Sequence, residues 1–124
     1  MISDSIIGLV LLIVGILLLG LGAWAIVALI RDPLASRKSR ILAWTLGILL
    51  GIIAAFITYP YSDTVKIFGF PFPAAAFKLE QGRWLDYVGS LTGPFTFGNF
   101  LVGLGLGHLI VLGTIRARRR KAAA

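Results

Sequence analysis

An all-α integral membrane protein with three transmembrane helices, amino terminus outside and carboxy terminus inside, is the fold class this sequence predicts. Three observations carry the prediction. Residues 6–30, 41–59 and 95–115 contain no Asp, Glu, Lys or Arg, and a hydrocarbon core about 30 Å thick needs roughly 20 helical residues to cross. The 124 residues are 58% hydrophobic with a mean hydropathy of +0.95, so a water-soluble chain of this size would leave large apolar patches exposed. Finally, the basic residues are segregated. Arg31, Arg37, Lys38 and Arg40 flank the first link and Arg116, Arg118, Arg119, Arg120 and Lys121 follow the third run. Lys66, Lys78 and Arg83 alone lie on the other side, among Asp4, Asp63, Glu80 and Asp86. The positive-inside rule then makes the Arg-rich side cytoplasmic, and three crossings satisfy that parity.

The chain reads as a single membrane domain, 1–124. Its first span, 6–30, is expected to begin near residues 3–5, where two serines and Asp4 suit a helix N-terminus. It is expected to remain as an anchor: residues 1–4 offer no positive charge and the apolar run exceeds an ordinary signal-peptide core. Pro33 ends it. The cytoplasmic link 31–40 is short, which predicts that the first two helices lie side by side and antiparallel. The second span, 41–59, closes at Tyr59-Pro60-Tyr61. The third, 95–115, opens after Gly93-Pro94, with Pro94 in a first turn where its missing N–H matters little. Trp24 and Trp44 at one boundary and Tyr59, Tyr61, Trp84 and Tyr87 at the other make an interfacial belt.

The extracytoplasmic loop 60–94 contains an apolar string broken by two prolines, Gly69-Phe70-Pro71-Phe72-Pro73, too short to span. A β-hairpin is expected after it. Phe77-Lys78-Leu79-Glu80 and Arg83-Trp84-Leu85-Asp86 flank the two-residue turn Gln81-Gly82, which would set Glu80 opposite Arg83 and Leu79 opposite Trp84.

Small residues recur along one face of each helix: Gly8, Gly15 and Gly22; Ala43, Gly47, Gly51 and Ala55; Asn99, Gly103 and Gly107. Such faces let helix backbones approach closely. They either pack the three helices together or also receive a neighbouring subunit or flat cofactor. Asn99 either hydrogen-bonds across helices or caps and hydrates the outer end of its own.

His108, the one histidine, lies inside the third span, where an ionisable group is a candidate functional residue. Three readings stand: a neutral imidazole bonded to a carbonyl or a polar group on an adjacent helix, a proton or quinone site, or an axial ligand to haem iron or chlorophyll magnesium. Glycines beside it would leave room for a macrocycle, although a second ligand would have to come from another chain.

Zero cysteines exclude disulfides and thiolate metal sites. Paired carboxylates within a span, a nucleophile with its base, a phosphate loop and a metal-ligand cluster are all lacking from the sequence, so no enzyme is expected. The basic tail, 116–124, is read as a topology anchor attracted to anionic lipid, not as a nucleic-acid site. Phe70, Phe72, Trp84 and Tyr87 are read as partner or interface contacts of the outer loop, either anchoring it among lipid headgroups or docking onto another subunit. The preferred reading is a non-catalytic accessory subunit of a larger respiratory, photosynthetic or transport complex in a bacterial cytoplasmic membrane. A haem- or chlorophyll-binding electron-transfer or light-harvesting subunit using His108 is the alternative. A homo-oligomeric small-solute channel is the second.

Overall fold

The computed structural model describes residues 4–123. Seven elements follow in order: α1 (Asp4–Arg31), α2 (Arg37–Phe56), β1 (Thr58–Ser62), β2 (Val65–Phe68), β3 (Ala75–Glu80), β4 (Arg83–Val88) and α3 (Thr92–Ala123). All three helices are long and apolar enough to cross a membrane. The all-α expectation is nevertheless wrong. The segment between α2 and α3 forms a four-stranded antiparallel sheet in the order β1-β2-β3-β4, so the fold combines three long helices with a sheet at one end.

The expected hairpin is present as β3–β4, with Leu79 paired to Trp84 and Glu80 to Arg83. Gln81 (φ 50°) and Gly82 (φ 76°) both take the left-handed conformation that a tight two-residue turn requires. The other two strands lie partly in what reads as the end of the second span. α2 stops at Phe56, where Ile57 turns extended, and Tyr59-Pro60-Tyr61 belongs to β1 instead. Pro60 is tolerated there because β1 is an edge strand, and the β1–β2 register shifts between Pro60 and Ser62.

Helix ends also move outward at the basic side. α2 starts at Arg37, inside the expected link, because the Ser36 hydroxyl caps it by accepting the Ser39 N–H at 3.1 Å. α3 runs 32 residues, about 48 Å at 1.5 Å per residue. It therefore carries Arg116–Lys121 on a continuous helix past the roughly 30 Å of a hydrocarbon core. The cap expected at residues 3–5 lies outside the described side chains.

α3 is the central element. It packs against both α1 and α2, which touch each other little, so the expected side-by-side pairing of α1 and α2 is also corrected. Glycine placement explains the arrangement. Gly103 and Gly107 abut the α2 backbone at Gly51 and Gly47, while Gly105 abuts Gly22 of α1. At 3.6 residues per turn, Gly105 lies about 200° around the helix from Gly103. α3 thus offers a flat side to each neighbour and holds them apart. The three helices converge at the basic end, where Ala25, Leu29, Ala43, Val111 and Leu112 form the buried core.

Candidate functional site

Toward the sheet end, the segment between β2 and β3 touches all three helices. The Gly69 N–H donates to the Ile57 carbonyl at 2.7 Å and the Phe70 N–H to the Ala54 carbonyl at 2.9 Å, both at the end of α2. The Phe70–Pro71 peptide is cis and Pro71 is fully buried. Phe72 then inserts its ring against Gly15 of α1 and Gly98 of α3, stacked 5.3 Å from Phe95. Gly15 is therefore a socket for an aromatic ring and not a helix–helix contact.

Asn99 fixes this insertion. Its side-chain oxygen accepts the Phe72 N–H at 2.8 Å, and its amide donates to the Phe72 carbonyl at 2.8 Å. Asn99 is completely buried, so both backbone groups of one loop residue are satisfied inside an apolar surrounding. This is neither the end cap nor the helix-to-helix bond that the sequence suggests. Gly69, at φ +90°, lies directly against the Asn99 amide, which leaves no space for a larger residue there.

His108 is fully buried as well. Its Nδ1 lies 2.9 Å from the Leu104 carbonyl, a contact that requires Nδ1 to be the donor. Nε2 is then buried without a hydrogen-bond partner among the described residues, and the ring meets Trp44 edge-on at 4.5 Å. The glycines around it do not open a slot for a macrocycle: Gly103 and Gly107 are filled by α2 backbone and Gly105 by α1. Among the described residues no three His, Cys, Asp or Glu side chains form a metal-ligand group.

The other sequence-singled residues scatter. Gly22, Gly47, Gly51, Gly103 and Gly107 all lie at helix–helix contacts, whereas Gly8 has nothing within 4 Å of where a Cβ would stand. Of the aromatics, Phe72 is buried and unavailable to a partner, but Phe70, Trp84 and Tyr87 are exposed. Lys66 Nζ sits 4.2 Å over the Trp84 ring and Lys78 Nζ 4.9 Å over Tyr87. Tyr87 donates its hydroxyl to Glu80 at 2.8 Å, and that carboxylate, with some desolvation, holds the phenol above its ordinary range. Burial pushes the Tyr59 phenol up in the same direction.

At the basic end the tail is ordered by one acid. Arg119 grips Asp32 with two nearly parallel bonds, 2.8 and 3.1 Å. Arg40 donates to the Asp32 carbonyl at 2.9 Å, and Asp32 in turn accepts the Leu34 N–H. The Arg119 fork, helped by Leu34, holds the Asp32 carboxyl below its usual range. Arg116 lies over the Trp24 ring at 5.3 Å. Charges that read as a free lipid-seeking tail are partly spent on tying α3 to the α1–α2 link.

No protein-family model, curated protein or solved structure matches this chain.

Proposed function

We propose that this chain is a non-catalytic accessory subunit of the cytoplasmic membrane, docking onto a larger membrane partner through the exposed edge of its sheet. The orientation follows from the charge asymmetry: basic end cytoplasmic, sheet outside. The observation that carries the reading is β4. All six of its residues are exposed, and Trp84, Leu85, Tyr87 and Val88 present apolar surface along a strand paired on one side only. A long, regular open edge is a ready template for another strand. The opposite edge is different. β1 carries Pro60 and a register shift, both of which blunt pairing.

The glycine faces support this choice by elimination. Those at helix contacts are consumed within the chain, so a partner would not be received there. The test is a photoreactive amino acid placed at Leu85 or Val88, with Leu17, an exposed position on α1, as the control. Irradiating native membranes is expected to give a discrete heavier species from the β4 sites and none from Leu17. Equal yields from all three, together with a lone monomer in mild detergent, would refute the docking role.

A further inference from the structure

An apolar groove of about 430 Å³ runs between the start of α1 and the sheet. Ile7, Gly8 and Leu11 form one wall, and Ile67, Ala74 and Ala76 face them. Its volume is within the range of small-ligand sites, about 300–1,000 Å³. Gly8 faces the open space, with no atom within 4 Å of where a Cβ would stand, so only a large side chain there would fill it. The polar character is confined to Lys78, Tyr87 and Tyr61.

We propose that this groove binds one acyl chain of an anionic phospholipid, with Lys78 meeting the phosphate. Two features select that occupant. The groove lies within two turns of the end of α1 nearest the sheet, the depth at which acyl chains meet headgroups in a membrane-spanning chain. Lys78 supplies matching charge, because among the described residues it makes no ion pair and its ammonium rests only on the Tyr87 ring. Glu80, two residues along the same sheet face, is engaged by the Tyr87 hydroxyl. An aromatic ring beneath a lysine at the headgroup level leaves the ammonium's hydrogens free for phosphate oxygens. The groove shares Tyr87 with β4, but its test reads lipid retention and lipid crosslinks, so it fails independently of the docking proposal.

The test uses the full chain in mild detergent with added dioleoyl phosphatidylglycerol or dioleoyl phosphatidylcholine, read by native mass spectrometry. Wild type is expected to retain one phosphatidylglycerol, about fivefold in preference to the zwitterionic lipid. Lys78→Gln is expected to erase the preference, and Gly8→Trp to abolish retention of both lipids. Independently, phosphatidylglycerol with a diazirine on its acyl chain is expected to crosslink to residues 7–11 and 65–76 of the wild type. Equal retention of both lipids by all folded variants, or crosslinks confined elsewhere, overturns the proposal. Should Gly8→Trp fail to fold, the wild-type crosslink map decides alone.

Discussion

Replacing Asn99 with leucine isolates the polar clamp on Phe72, leaving the Gly69 and Phe70 backbone bonds to the end of α2 in place. The substitution keeps a side chain of similar size but removes both hydrogen bonds to Phe72, each 2.8 Å long and completely buried. Phe72's N–H and carbonyl are then orphaned where no water reaches. An unsatisfied buried group costs about 1–3 kcal/mol, which for two groups gives about 2–6 kcal/mol. One effect opposes this. Polar groups in a membrane-embedded unfolded state find substitute partners, and inter-helix hydrogen bonds there average only about 0.6 kcal/mol. Because the partners here are backbone groups of a wedged loop, which keep their polarity after the mutation, the lower part of the range is expected, about 2 kcal/mol. Equilibrium unfolding in mixed micelles, followed by tryptophan fluorescence, measures the difference directly. Hydrogen exchange at the Phe72 amide should accelerate in step. A loss below about 0.5 kcal/mol, with unchanged exchange at Phe72, would show that ring packing against Gly15 and Gly98 holds the loop and that the clamp is incidental.

Gly69→Ala strains a φ of +90° and collides with the Asn99 amide, so its melting temperature should fall at least as far as that of Asn99→Leu. Gly107→Leu forces α2 off α3 and is expected to lose about 1–3 kcal/mol or to misfold, whereas Gly8→Leu, facing open space, should stay within about 0.5 kcal/mol of wild type; the pair of unfolding curves checks both. His108→Phe removes an imidazole whose Nε2 is unpartnered among the described residues and should leave the unfolding free energy within about 1.5 kcal/mol of wild type, a larger loss in the unfolding curve refuting that reading. Asp32 has a folded value below its ordinary 3.8, so its tie to Arg119 contributes fully above that pH and is lost as pH falls through the folded value. Thermal melts should accordingly show an extra acid-side decline in wild type that Asp32→Asn lacks.

The helices were legible because their signal is physical and redundant: long charge-free runs, basic flanks and a proline stop at residue 33. The β3–β4 hairpin was legible from Gln81-Gly82, since a two-residue hairpin turn needs left-handed φ values and glycine adopts one without steric cost. β1 and β2 were not. Thr58 and Tyr59 continue the apolar run of the second span, and a proline inside a five-residue strand argues against a strand unless its edge position is known. The central place of α3 had a trace in the sequence. Gly105, between Gly103 and Gly107, adds a small residue on the opposite side of the helix, but which helix would take which side depends on three-dimensional packing. Asn99's partner was hidden for a similar reason, lying 27 residues away in a loop with no regular pattern. His108 stood out by chemistry alone, and nothing in one sequence distinguishes a slot beside it from a seam already filled by a neighbouring backbone.

The position of α3 bears on how the molecule is made. Because α1 and α2 have little hold on each other, a nascent chain that has delivered only these two segments to the bilayer has nowhere to seat its grooves at Gly22, Gly47 and Gly51. The Phe72 ring likewise waits for the wall that Gly98 and Asn99 provide. Assembly of the three helices is therefore back-loaded: α3, which follows the other two in the chain, closes the seams at Gly22, Gly47 and Gly51 together.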